Sequence, residues 1–168
     1  MYKRQVLYHS LTGNTKKVAT AIAKSKNADL KSIDEEFDVD NYECVIFGFY
    51  VDRGFFVPKA ENVAKNIKNK TMGLFFTLGA EPDGDHAKDC EKKALDYFTK
   101  LGNNVKATFC CQGAIDPNVI EQMRQMAAKM GDKAVHQITP QREARWKRAA
   151  SHPDENDIKN AVLAFESL

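Results

Sequence analysis

Val6-Leu7-Tyr8-His9-Ser10-Leu11-Thr12-Gly13-Asn14-Thr15 decides how the remainder of this 168-residue chain is read. A short apolar run gives way to a hydroxyl-rich turn. Val18, Ala19, Ile22 and Ala23 then recur along one side of a helix. A strand that feeds such a turn into a helix makes a natural anion site. The first-turn N–H groups have no partner inside the helix, and the helix dipole favours negative charge there. Ser10, Thr12 and Thr15 add hydroxyl donors, and Gly13 and Asn14 tolerate the backbone angles of a tight cradle. The expected ligand is a phosphate monoester held by neutral donors. The competing reading is an ordinary strand–turn–helix junction in which Thr15 or Asn14 caps the helix.

Apolar residues make up 43% of the chain and charged residues 29%, which suits a water-soluble domain with a real core. No apolar run approaches the roughly 20 residues of a membrane-spanning helix. Met1 to Gln5 leads straight into a strand without the apolar stretch of a signal peptide, so a cytoplasmic protein is expected. Cys44, Cys90, Cys110 and Cys111 form no Cys-x-x-Cys pair, and reduced, partly buried thiols are expected. A net charge of +2 gives no argument for nucleic acid.

Working outward from the first loop, Asp29–Ile33 reads as an edge strand. Cys44-Val45-Ile46-Phe47-Gly48-Phe49 and Met72-Gly73-Leu74-Phe75-Phe76-Thr77 read as strands covered on both faces. Val105–Cys111 is a fifth strand. Helical patterns lie between them. One starts at Pro58 and carries Ala60, Val63, Ala64 and Ile67; another carries Cys90, Ala94, Leu95 and Phe98. Alternating strands and helices predict a parallel α/β sheet with right-handed crossovers. Asn118–Met130 then looks helical. A basic stretch follows at Arg142–Arg148, and Pro153-Asp154 opens a last helix with Ile158, Ala161, Val162 and Phe165 on its apolar face. That last helix is expected to pack on the sheet. One domain over residues 1–168 is expected, with a core over about 3–130 and an elaboration over about 131–168.

Ser10-Leu11-Thr12-Gly13-Asn14-Thr15 resembles the phosphate loop of the flavodoxin family, Ser/Thr-x-Thr-Gly-x-Thr, and lies directly after the first strand as it does there. The resemblance covers about residues 3–110. It implies a doubly wound five-stranded parallel sheet in the order 2-1-3-4-5, with helices on both faces. Ligands then bind beyond the strand carboxyl ends at the switch point between the first and third strands. The implied cofactor is flavin mononucleotide (FMN). Segments 111–116 and 152–157 resemble an anaerobic bacterial flavodoxin-like subgroup associated with bilirubin reductase.

Three loops emerge at that switch point. The first supplies Ser10, Leu11, Thr12, Gly13, Asn14 and Thr15. The second, Phe49-Tyr50-Val51-Asp52-Arg53-Gly54-Phe55-Phe56, offers four aromatics that face a planar ring or, as for Phe49, close the core. Resemblance places one side of the isoalloxazine against it, with the peptides of Asp52, Arg53 and Gly54 near the flavin N5. The third loop contributes Thr77, Leu78, Gly79 and Ala80, and the N–H groups near Leu78, Gly79 and Ala80 are implied to reach the flavin carbonyls. Two departures from the family stand out. No aromatic lies between Leu78 and His86 to stack on the outer ring face. Arg53 either favours the reduced flavin anion by its charge or points to solvent.

No Gly-x-Gly fingerprint, Gly-x-x-x-x-Gly-Lys loop, Gly-x-Ser-x-Gly elbow or His-Glu-x-x-His helix occurs. His86 and Cys90 lie four apart, but a lone pair does not support a metal site. The expected function is an FMN-binding electron carrier serving a reductase and an electron-accepting partner, which the resemblance implies to be a bilirubin reductase, with no catalytic residues of its own. The chain is expected to be a monomer or weak dimer with no membrane or nucleic-acid partner. Two rivals stand: an FMN-dependent NAD(P)H:quinone or small-molecule reductase, and a non-redox module for another phosphorylated ligand.

Overall fold

Five parallel strands in the order β2-β1-β3-β4-β5 form the centre of the computed structural model, which describes residues 2–168. They are β1 (Arg4–Tyr8), β2 (Asp29–Ser32), β3 (Cys44–Tyr50), β4 (Thr71–Leu78) and β5 (Asn104–Gln112). The order and direction are those expected from the sequence. Helices α1 (Asn14–Lys26), α2 (Pro58–Ala64), α3 (Asp85–Lys100), α4 (Pro117–Met130), α5 (Pro140–Ala149) and α6 (Glu155–Ala164) follow their strands or close the chain. No helix among the described residues is long and apolar enough to cross a membrane.

Strand parity sorts the side chains into two cores. Leu7, Val45, Phe47, Phe49, Met72, Leu74 and Phe76 face Ala60 and Ala64 of α2 and Ala87, Cys90, Ala94 and Phe98 of α3. Val6, Tyr8, Cys44, Ile46 and Phe75 face Val18, Ala19 and Ile22 of α1 and Ala161 and Phe165 of α6. The continuous apolar spelling of β3 and β4 follows directly, since neither face meets water. On the α1–α6 side two glycines make room. The Phe75 ring fills the space above Gly48, and Phe165 and Leu168 fill that above Gly73. The last helix therefore packs on the sheet as expected.

The four thiols are free, and Cys110 and Cys111 point to opposite cores. Burial pushes the Cys110 thiol up to about 11 and raises Cys111 further, so both stay protonated near neutral pH. Helix α6 starts with a reciprocal cap: Asp157 N–H donates to Asp154 Oδ1 and Asp154 N–H to Asp157 Oδ2, each at 2.9 Å. His152 Nδ1 pairs with the same Asp157 carboxylate at 2.5 Å.

Candidate functional site

The carboxyl ends of β1, β3, β4 and β5 surround a cleft of about 260 Å³. Its floor is the turn from β1 into α1. Gly13 is the residue before the helix, at φ 97°, a left-handed conformation that glycine adopts without Cβ strain. No side chain caps the helix, neither Asn14 nor Thr15, and no acidic residue lies in its first turn. The ordinary-cap reading of this junction is thereby removed. Gly13 N–H donates to Ser10 Oγ at 3.1 Å, folding the cradle back on itself. The N–H groups of Asn14, Thr15 and Lys16 have no acceptor among the described residues. A Cβ on Gly13 would meet no protein atom within 4 Å, so the cradle is open above it.

Thr15 has a second duty that its spelling does not reveal. Its hydroxyl lies 2.9 Å from that of Thr77, with both residues buried, so the cradle is tied to the end of β4. Asn14 reaches the other way: its Nδ2 donates to Ala114 O at 2.9 Å and sits 3.4 Å from Thr12 Oγ1.

The second loop divides. Tyr50, Val51 and Asp52 line the cleft. Phe49 belongs to the α2–α3 core, stacked on Phe76 at 5.4 Å, and Phe55 stacks on Phe56 at 3.9 Å beside Tyr97. Of the four aromatics only Tyr50 is among the lining residues, and its ring lies 5.0 Å from that of His9. Asp52 and Phe55 exchange backbone hydrogen bonds around Arg53 (φ 54°) and Gly54 (φ 86°), a two-residue hairpin with both central residues left-handed. Gly54 O accepts from Cys90 Sγ at 3.3 Å, which seats the turn on α3. Arg53 is exposed at its tip, and neither it nor Gly54 is among the lining residues.

From the third loop Thr77, Leu78 and Gly79 line the cleft, while Ala80 packs against the α2–α3 core. A fourth wall was not foreseen. Gly113, Ala114, Ile115, Asp116 and Val119, running from β5 into α4, close the side where the third loop lacks an aromatic. Gly113 N–H donates to Leu78 O, and Ala114 N–H to His152 O, each at 2.8 Å. Ile115 lies close against Gly79, where a Cβ would stand 2.7 Å from its side chain. The signal available in the sequence was Asp116-Pro117, a helix cap followed by proline at the first helical position, just beyond a strand that ends on this rim. Asp116 accepts from Asn118 N–H at 2.8 Å.

The lining contains no lysine or arginine and two acids, Asp52 and Asp116. A phosphate held here would rest on main-chain N–H groups, the hydroxyls of Ser10, Thr12 and Thr15, and the α1 dipole. A planar group beyond it would lie between Tyr50 and the aliphatic side chains of Leu78, Ile115 and Val119. The donor set and shape fit FMN. His9 is 7% exposed with Nδ1 unpartnered among the described residues, and burial lowers its proton affinity.

Comparison with known proteins agrees with this geometry. The protein-family model described as "Flavodoxin domain" matches residues 5–166. The Flavodoxin-like domain-containing protein BilS of Clostridioides difficile (strain CD3) is 33% identical over 172 residues, covering 99% of this chain and 96% of that protein. Oxidised Flavodoxin 2 from Bacillus cereus superposes with a TM-score of 0.61 at 17% identity, covering 98% of each chain. A flavoprotein from Lactobacillus acidophilus NCFM, solved in complex with FMN, gives 0.52 at 20% identity over 73% of this chain and 98% of that one.

Proposed function

Because the chain belongs to the flavodoxin domain family, we propose that its cleft holds FMN and that the protein carries electrons between partner proteins. The observation that carries this reading is the uncapped N-terminus of α1, opening through Gly13 onto a cleft at the β1–β3 switch point. The bound flavin supplies the one- and two-electron chemistry, and the chain supplies binding, orientation and tuning. The hydroxyls of Ser10, Thr12 and Thr15 and the free N–H groups of Asn14 and Thr15 hold the phosphate. Thr15 and Thr77 fix the cradle against β4. Tyr50 and Asp52 from the second loop and Ile115 and Val119 from the segment after β5 would enclose the ring. On the resemblance of segments 111–116 and 152–157, and the 33% identity to BilS, the electron acceptor is a bilirubin reductase.

Titration of flavin-free protein with FMN and with riboflavin, followed by flavin fluorescence, tests the cradle. FMN is expected to bind far more tightly, because riboflavin lacks the phosphate; equal affinities would sink the assignment. A carrier without a pocket for nicotinamide is also expected to leave NAD(P)H unoxidised until a reductase is added. Steady turnover without one would favour the rival enzyme.

A further inference from the structure

Charge is unevenly spread along the chain. Residues 117–150 hold seven lysines and arginines against three acids, so this segment carries +4 while the remainder carries −2. The same segment is poorly covered. No residue of α4 is buried, and Met126, Met130 and Val135 are 52%, 44% and 88% exposed.

Helix α5 adds an unusual stripe. Arg142, Arg145, Trp146 and Ala149 recur at helical spacing on one face; Trp146 and Ala149 are buried and the two arginines half-buried. Neither arginine has a carboxylate within ion-pair distance among the described residues. Glu143 is taken by Arg124 and Glu81 by Arg148, each at 2.5 Å. Arg145 Nε is buried with no hydrogen-bond partner. Burial, and then the charge of Arg145, lower the proton affinity of Arg142. Two partly desolvated cations side by side without a counter-charge are costly alone and gain strongly from an added carboxylate.

The position is as telling as the charge. The first turn of α4 supplies Val119 to the cleft wall, and Arg148–Glu81 ties the end of α5 to the loop after Gly79. Whatever docks on α4–α5 arrives beside the cleft. We propose that this face is the docking surface for a small acidic electron-transfer protein, whose carboxylates pair with Arg142 and Arg145. The proposal rests on the electron-carrier reading above. The basic segment attracts such a partner, while the net negative charge elsewhere turns it away from other faces, which orients the encounter. Each encounter moves one electron: the partner is oxidised by one and the bound flavin reduced by one.

The probe is an acidic plant-type [2Fe–2S] ferredoxin. Its association with flavin-free protein is measured by biolayer interferometry, and electron transfer from its reduced form to FMN-loaded protein by stopped flow. Both are expected to weaken as ionic strength rises. Arg142→Gln/Arg145→Gln is expected to slow transfer about tenfold at low salt and to abolish most association, with FMN affinity unchanged. Arg142→Lys/Arg145→Lys is expected to keep most of both. Should the glutamine variant not fold, Lys133→Glu/Lys147→Glu, at exposed positions, is expected to slow transfer severalfold. Association that ignores salt or these substitutions overturns the proposal. So does complete displacement of the probe by millimolar inorganic phosphate, which would mark a free-anion site only. Failure to bind FMN with association intact would instead count against the electron-carrier reading alone.

Discussion

The contact between Thr15 and Thr77 can be separated into its structural and its ligand-binding parts. The two hydroxyls lie 2.9 Å apart, and the residues are 1% and 3% exposed. Replacing either threonine with valine keeps the shape and leaves the other hydroxyl buried without its protein partner. That orphan costs about 1–3 kcal/mol, whereas removing both groups together is nearly neutral because no polar atom is stranded. The expected result for flavin-free protein is therefore strong non-additivity. Thr15→Val and Thr77→Val each destabilise, and the double variant recovers much of the loss, with a coupling of about 1 kcal/mol or more. Urea unfolding of the four proteins at constant m measures it. FMN affinity is expected to behave differently, since a valine at 15 lacks the cradle hydroxyl in either background. Affinity should stay low in the double variant while stability returns. Additive losses with no coupling would show that each hydroxyl is satisfied elsewhere, and the tie between cradle and sheet would have to be abandoned.

The remaining expectations concern single positions. Thr12→Val should weaken FMN by about 1 kcal/mol, since this hydroxyl sits at an exposed rim, and leave riboflavin binding unchanged in the same titration. Gly13→Val should weaken FMN more and also cost about 1–2 kcal/mol of stability, because φ 97° is left-handed. Gly48→Ala places a Cβ 1.9 Å from the Phe75 ring, and thermal unfolding should show a loss of about 1–3 kcal/mol. His9 has a lowered proton affinity in the folded chain, so the unfolded chain binds its proton more readily. Stability is then complete above the unfolded pKa of about 6.5 and declines as pH falls from there towards the folded pKa. His9→Gln should flatten that slope in melting curves between pH 5 and 8, and an unchanged slope would reassign it to other groups.

What the sequence discloses is local. The double-sided burial of β3 and β4, proline at the start of α2 and the cap of α6 each follow from residues a few positions apart. The turn from β1 into α1 was legible for the same reason. Strand parity also contained more than was taken from it. Phe49 shares the parity of Val45 and Phe47 and therefore enters the core, leaving Tyr50 to face the cleft. The fourth wall was not legible, because it depends on pairings between distant segments. Asn14 meets Ala114 across 100 positions, and Ile115 finds its place against Gly79. Such contacts are decided by how two loops meet at the rim, which no local pattern encodes.

The distribution of charge completes the electrostatic account. From the sequence, Arg53 stood out as a cation that either favours negative charge on a bound ring or points to solvent. In the fold it occupies the exposed tip of a hairpin outside the cleft lining, whereas Asp52 and Asp116 lie within it. A unit charge about 6 Å away contributes of order 2–3 kcal/mol at an effective dielectric of about 20. Exposure and salt reduce this to about 1 kcal/mol or less. Even at the lower figure, the two carboxylates of the lining would oppose a gain of negative charge within the cleft. No lysine or arginine in the lining offsets them. The excess of cations lies on α4 and α5, where it acts on an approaching partner more than on the ring. A chain with net charge +2 can thus keep an acidic rim at the cleft. Its overall charge bears on which proteins approach it, and the two aspartates bear on how readily a bound ring accepts an electron.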